Sequence, residues 1–206
     1  MSKEQSVDLS KIKTGGTFLT NVVGSEKVFC KELFSDEEKM IYEAMRDFAT
    51  NELLPLSQNE LNRKDEKLIR KLVEQMGELG FLGIDVPEKY GGSEMTKTGM
   101  CILAEGISFC GSASFCTVWN VQTSIGSLGI IWYGNDEQKQ KWLPGICSGE
   151  KIAAFGLTEP EAGSDATNSK TTGVLSEDGK HYIFKWSKNL HFKRCMGRYF
   201  YCSIEN

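Results

Sequence analysis

The pattern of apolar residues changes within the segment KWLPGICSGEKIAAFGLTEPEAGSD, residues 141–165. Before it, apolar residues recur at the spacing of amphipathic helices. Within it, Ile152 to Leu157 form an apolar run of small residues that predicts a strand. After it, two alternating runs flank Ser176 to Gly179, where the Asp-Gly pair is a hairpin signal. We therefore predict an α+β chain in which an all-α helical domain, ending at about residue 150, precedes the first strands of a β domain.

The first two predicted helices have clear start and stop signals. Ser35 and Glu38 have the spacing of a capping box, and the helical pattern that follows continues until Pro55. A second helix is predicted from about Asp65 to Leu79, with Gly80 as its stop. The apolar faces of both helices indicate an ordinary core.

Three further helices are predicted at about Thr98–Phe109, at Ala113–Tyr133, and from Asn135 to near Pro144. Between Met100 and Tyr133 the only charged residue is Glu105. We therefore expect these helices to be covered on most sides, at the centre of a bundle. Polar residues and glycines interrupt every apolar run in this stretch, so it does not predict a membrane span.

The composition is that of a globular protein that does not bind polyanions. With 24 Lys and Arg against 28 Asp and Glu, the net charge is −4. Since there is no basic stripe, we expect neither a nucleic-acid partner nor an anionic membrane surface. The seven cysteines are odd in number and include no Cys-x-x-Cys pair, which favours reduced thiols over disulfides. Met1 to Ser10 has no apolar core of a secretory signal, and we expect a cytoplasmic protein.

Residues 157–165, LTEPEAGSD, are the best candidate for a binding loop. They contain no His or Cys, so no metal site or nucleophilic triad can be built from them. They do offer the hydroxyls of Thr158 and Ser164, and Gly163 allows a ligand to approach the backbone closely. Such a loop can hold the polar edge of a ring or a phosphate oxygen, and an ordinary turn is the alternative.

Several spaced motifs resemble the acyl-CoA dehydrogenase family: Lys141–Pro144, Ser148–Phe155, Leu157–Pro160, Ala162–Asp165 and, upstream, Pro87–Gly92. The likeness covers about residues 33–185, and Gly15–Leu19 resembles the long-chain and very-long-chain branch. It implies an extension at 1–34, a helical N-terminal domain at 35–150 and a partial, β-barrel-like, FAD-binding middle domain at 151–185. Residues 186–206 are then an aberrant tail, and the family's C-terminal helical domain is absent.

The resemblance also implies a cofactor site for FAD, at Phe155, Gly156, Leu157, Thr158, Gly163 and Ser164. Thr158 is expected to bond the polar edge of the isoalloxazine, with Phe155 and Leu157 near the flavin and thioester pocket. Ser164 is expected to contact the pyrophosphate or the acyl-CoA substrate. Phe155 and Leu157 have the alternative of plain strand-core residues. Glu159 and Asp165 are interpreted as groups that fix the loop, not as bases.

The implied chemistry is the α,β-dehydrogenation of acyl-CoA thioesters to trans-2-enoyl-CoA, with a Glu as base and the flavin as hydride acceptor. The family's base lies in its C-terminal domain, so we assign no catalytic residue and no metal, and we expect this chain to be inactive by itself.

Electron-transfer flavoprotein is the implied redox partner, and whole family members are homo-oligomers. The mitochondrial matrix is the alternative compartment for a eukaryotic protein. The alternatives in function are a helical interaction module without flavin, or an acyl-CoA oxidase or flavin monooxygenase of the same fold.

The residues from Trp186 to Arg194 depart from the family pattern, because charges and a His replace an expected buried strand. With suitably chosen codons, a shift of one nucleotide restores a family-like strand. We therefore hypothesise that the tail is read in a shifted frame, which the nucleotide sequence beyond Lys185 would decide, and we expect the tail to be disordered.

Overall fold

The computed structural model of the protein describes residues 31–56, 61, 65–179 and 182–185. Its helices are α1 Asp36–Phe48, α2 Glu66–Glu78, α3 Lys97–Ile107, α4 Ala113–Thr123, α5 Leu128–Tyr133 and α6 Asp136–Cys147. The strands β1 Thr172–Leu175 and β2 Tyr182–Lys185 follow them. Among the described residues, 31–40 belong to one compact unit and those from Ile41 onward to another. The predicted extension before Lys31 and the predicted tail at 186–206 lie outside the described residues.

The start of α1 and the end of α2 follow the predicted signals. Ser35 and Glu38 form the capping box, since the Glu38 N–H donates to Ser35 Oγ at 3.1 Å and the Ser35 N–H donates to Glu38 Oε2 at 2.9 Å. Asp65 caps α2 by accepting hydrogen bonds from the N–H groups of Lys67 and Leu68. Gly80 follows α2 with a φ of +78°, a conformation that suits glycine at a helix end. The order of helices before a β segment is as predicted.

The predicted helix from Ala113 to Tyr133 is two helices, so its predicted extent was wrong. The backbone leaves helical geometry at Ser124, where ψ is −107°. Two residues later, a Cβ added at Gly126 would lie 2.6 Å from the Val121 carbonyl oxygen and 2.9 Å from Ala153 Cβ. The break therefore brings the α4–α5 junction into close contact with the segment that follows α6.

Helix α6 was predicted to end near Pro144, but it continues to Cys147. Proline lacks the N–H that would bond back along the helix, yet its carbonyl can still accept. The Ser148 N–H donates to the Pro144 carbonyl at 3.0 Å, so the last turn closes beyond the proline.

The larger core cluster lies among α1 to α4 and the residues that follow α2, and a second cluster joins α5 and α6 to the Pro87–Gly92 loop. Trp119, which is 2 % exposed, donates from Nε1 to the Phe81 carbonyl at 2.9 Å and ties α4 to the chain after α2. The expectation that the weakly charged stretch is covered holds for α3 and α4, whose inward side chains are buried. It was wrong at the end of α5, where Trp132 is 61 % exposed and Tyr133 is 71 % exposed. None of the helices described is long and apolar enough to cross a membrane.

The predicted hairpin is present, with β1 antiparallel to β2 and Val174 paired with Ile183. Gly179 in its turn has a φ of +68°. The predicted strand at Ile152 to Leu157 is not a strand in this structure. No described strand lies beside it to form a ladder, and side-chain contacts fix its start instead.

Candidate functional site

Gln122 positions the start of the segment that carries the predicted site residues. Its side chain is fully buried on α4. Nε2 donates to the carbonyls of Ile146 at 3.1 Å and Lys151 at 2.8 Å. Oε1 accepts from the Ala153 N–H at 2.9 Å. One amide thus joins α4, the end of α6 and the chain leaving α6.

Sequence reasoning missed Gln122. The available signal was a long polar side chain inside a stretch of low charge, where burial requires that its donors and acceptors be satisfied.

Glu159 fixes the loop after this segment, as the sequence interpretation expected. The residue is 5 % exposed. Its carboxylate accepts from the N–H groups of Lys170 at 2.5 Å and Thr171 at 3.2 Å, and from the Thr171 hydroxyl in a short contact. Backbone bonds in both directions between Glu159 and Ala162 close a tight turn. The carboxylate therefore joins the loop to the chain that enters β1.

Asp165 also fixes the chain near the loop. Its Oδ1 accepts from the Thr167 hydroxyl at 2.8 Å, at the beginning of a short 3₁₀ turn, Ala166–Asn168. Glu159 and Asp165 thus both bind neighbouring parts of the chain.

Phe155 and Leu157 lie at the surface, with exposed fractions of 37 % and 43 %. Their alternative assignment as strand-core residues is therefore wrong in this structure. Between them, Gly156 is half-buried, and Thr158 next to them is also half-buried. No described residue forms a hydrogen bond with Thr158. Its polar groups are thus left available beside two exposed apolar side chains.

Gly163 and Ser164 lie on the outer side of the turn. Both are exposed, and a Cβ added at Gly163 would meet no described atom within 4 Å. Ser164 likewise forms no hydrogen bond with the described residues. The backbone and hydroxyl at this end of the loop are open to a ligand.

The loop at Pro87–Gly92 packs on the N-terminus of α6. The Tyr90 hydroxyl donates to Asp136 Oδ1 in a short hydrogen bond, and Lys89 Nζ lies 3.5 Å from the same oxygen. The hydrogen bond from Tyr90, followed by the charge of Lys89, lowers the pKa of Asp136 below its ordinary value. Gly92 is required there, because an added Cβ would lie 1.9 Å from the Val86 carbonyl oxygen.

Comparisons with known proteins identify similar sequences. A family model described as the acyl-CoA dehydrogenase N-terminal domain matches residues 35–150. The chain is 43% identical over 177 residues to a probable acyl-CoA dehydrogenase of Bacillus subtilis, covering 86% of this chain and 29% of that protein.

Solved structures give the same picture. An acyl-CoA dehydrogenase complexed with FAD from Bacillus anthracis superimposes with a TM-score of 0.78 at 41% identity, over 86% of this chain and 30% of that one. A chain from a structure of the electron transferring flavoprotein of Acidaminococcus fermentans superimposes with a TM-score of 0.67 at 33% identity, over 79% of this chain and 41% of that one. The present chain thus spans well under half the length of these relatives.

Proposed function

Since this chain belongs to the acyl-CoA dehydrogenase family, we propose that it supplies the helical N-terminal part and one flavin-contacting loop of an FAD-dependent acyl-CoA dehydrogenase. The reaction is the α,β-dehydrogenation of an acyl-CoA thioester to trans-2-enoyl-CoA. When bound, FAD supplies the hydride acceptor. The observation that carries the proposal is the unpartnered, half-buried Thr158 between exposed Leu157 and the buried anchor Glu159.

The described residues fit a planar ring that has a polar edge. Phe155 and Leu157 offer apolar surface, and Thr158 offers a hydroxyl and a backbone N–H beside it. Gly163 and Ser164, across the turn, leave room and a hydroxyl for a phosphate or for the acyl-CoA. Gln122 and Glu159 hold the two ends of this surface.

We assign no catalytic base within this chain. Glu159 is engaged by three donors, so it is not placed to accept a substrate proton. We propose that the base comes from the part of the protein that corresponds to the family's C-terminal helical domain. The chain alone is then expected to show no turnover. The same proposal includes a homo-oligomeric whole protein in the cytoplasm. It also includes electron-transfer flavoprotein as the partner that reoxidises the flavin.

The test is uptake of FAD by the purified chain. After incubation with FAD and gel filtration, the protein fraction should be yellow, and FAD should raise the melting temperature because it binds the folded state. Thr158→Ala should weaken binding by about tenfold, the usual contribution of a good hydrogen bond. Thr172→Ala, which alters an exposed threonine of β1, is the matched control and should bind as the wild type.

Absence of FAD from the protein fraction, with no shift in melting temperature, would contradict flavin binding by this chain. It would favour the helical interaction module instead. Equal weakening by Thr158→Ala and Thr172→Ala would contradict the assigned role of Thr158.

A further inference from the structure

Two cysteines of the helical domain lie in contact. Cys110 ends a short 3₁₀ turn, Ser108–Cys110, and Cys116 lies in the first turns of α4. Their sulfur atoms are 3.5 Å apart. We propose that Cys110 and Cys116 form a redox modification site, which closes to a reversible disulfide within one chain when the protein meets a hydroperoxide.

The backbone between the two residues holds them together before any oxidation. Gly111 turns the chain with a φ of +69°. Ser112 then caps α4, since its Oγ accepts from the Phe115 N–H at 3.3 Å and its carbonyl accepts from the Cys116 N–H at 3.0 Å. The loop is already closed, so forming the bond requires little further ordering of the chain.

The surroundings of the two thiols shift their pKa values in opposite directions. The hydrogen bond with Cys116, together with the one from the Ser112 N–H, lowers the pKa of Cys110, while burial opposes this effect. The same hydrogen bond and burial raise the pKa of Cys116. Cys110 also lies just before the N-terminus of α4, where the helix dipole favours a thiolate. The pair thus contains one thiol that ionises readily and one that keeps its proton.

The oxidant must be small and uncharged to reach this site. Cys110 is 2 % exposed, whereas Cys116 is half-buried. Hydrogen peroxide meets both requirements.

The other described cysteines lack this arrangement. Cys101 is exposed and Cys147 is buried, and neither has a hydrogen-bonded sulfur partner among the residues described. Burial raises the pKa of Cys147 to about 11, which disfavours its thiolate. Cys101 and Cys147 therefore serve as internal controls for exposure and for burial.

The reaction balances with hydrogen peroxide as the two-electron oxidant. The Cys110 thiolate attacks one peroxide oxygen, the O–O bond breaks, and hydroxide leaves to give a sulfenic acid. The Cys116 sulfur then attacks the Cys110 sulfur, and a second hydroxide leaves as the S–S bond forms. The two protons of the original thiols convert both hydroxides to water. Two thiols and one peroxide thus give one disulfide and two waters.

The bond would clamp the first part of α4. A disulfide has an S–S length of about 2.05 Å, so the two sulfurs move closer from their present separation of 3.5 Å. The same helix carries Gln122, which holds the Ala153 N–H. The site therefore lies on the element that positions the candidate flavin loop.

The test is a disulfide map of the whole wild-type chain after treatment with hydrogen peroxide. Free thiols are blocked by alkylation, and the protein is cut with chymotrypsin, because cleavage after Phe115 separates Cys110 from Cys116. The expected product is a pair of peptides joined through these two residues, lighter by two hydrogen atoms and separated again by dithiothreitol. Cys101→Ser should leave this product unchanged, and Cys116→Ser should abolish it.

The wild-type map decides the question even if a variant fails to fold. In urea the short separation of Cys110 and Cys116 still favours their pairing, but bridges to other cysteines should also form, so the share of the Cys110–Cys116 product should fall. The proposal is overturned if both residues stay open to alkylation at peroxide doses that oxidise Cys101. It is also overturned if Cys110 proceeds to sulfinic acid without a bridge, or if the native pattern of bridges equals the pattern in urea.

Discussion

The side-chain oxygen of Gln122 accepts a hydrogen bond from the backbone N–H of Ala153 at 2.9 Å. The two residues are 31 positions apart, and Gln122 is fully buried. This bond, with the two that Nε2 donates to the carbonyls of Ile146 and Lys151, determines where the chain goes after α6. The candidate flavin loop begins from this anchor.

Replacing Gln122 by Leu should destabilise the protein strongly. The substitution leaves the Ala153 N–H and the Lys151 carbonyl without the partner that Gln122 provides, whereas the Ile146 carbonyl keeps the Gly149 N–H at 3.3 Å. Unsatisfied buried groups cost about 1–3 kcal/mol each, so we expect a loss of about 2 kcal/mol or more. Urea unfolding followed by circular dichroism measures it. Gln140→Leu, at an exposed position of α6, should change the free energy of unfolding little, and an equal loss there would contradict the role of Gln122.

Replacing Glu159 by Ala should loosen the loop that carries Thr158. The change removes the acceptor for the N–H groups of Lys170 and Thr171, at a cost of about 1–3 kcal/mol. Hydrogen exchange at these two amides should become faster, and proteases should cut the loop sooner. The neighbouring Glu161→Ala, at an exposed residue, provides the comparison. If Glu161→Ala accelerates exchange at Lys170 and Thr171 as much, the carboxylate of Glu159 does not hold the loop.

The contribution of Asp136 should depend on pH. The hydrogen bond from Tyr90 and the charge of Lys89 lower the pKa of Asp136 in the folded protein. Its stabilising contribution is therefore fully present above the ordinary Asp pKa of about 3.9, and it is lost as the pH falls towards the lower folded value. We expect wild type to be more stable than Asp136→Asn at pH 7, with a difference that shrinks below about pH 4.

Chemical denaturation of both proteins across this pH range measures the difference. Glu137→Gln changes the next acidic residue of the same helix end. It tests whether another carboxylate there has the same pH-dependent effect on stability. A difference between wild type and Asp136→Asn that stays constant from pH 7 downward would show that the folded pKa of Asp136 is not lowered.

Replacement by Ala of two glycines near the α4–α5 break should change the stability of the protein in opposite directions. At Gly126 the new Cβ would lie 2.6 Å from the Val121 carbonyl oxygen, so we expect a loss of about 1–3 kcal/mol, as for other overpacked sites. At Gly129, on α5, nothing lies within 4 Å, and Ala should gain up to about 1 kcal/mol through helix propensity. Melting temperatures measured side by side test this, and a gain at Gly126 would contradict the close approach to Ala153.

Local signals in the sequence predicted the features that depend on local physics. The capping box of Ser35 and Glu38, the helix stop at Gly80 and the hairpin turn at Gly179 each involve groups only a few residues apart. Their hydrogen bonds or backbone angles need no knowledge of distant segments, and all three are confirmed.

Features that depend on distant contacts could not be predicted in the same way. The apolar pattern continues beyond Ser124, where the helix ends, and the close approach of Gly126 to Ala153 joins positions that are far apart in the sequence. The run from Ile152 to Leu157 has the composition of a strand, but backbone pairing decides whether a strand forms, and Gln122 bonds to its beginning instead. The roles of Thr158 and Ser164 towards FAD stay predictions, as does the shifted frame beyond Lys185.

The hairpin has a practical consequence for handling the purified chain. Val174, Leu175, Tyr182 and Ile183 are between 45 % and 61 % exposed, and no other described strand covers the outer edge of either strand. Such edges recruit strands from neighbouring molecules. We therefore expect stored protein to aggregate through its hairpins. The rate of aggregation should rise with protein concentration, while the thermal stability of the helical core stays constant.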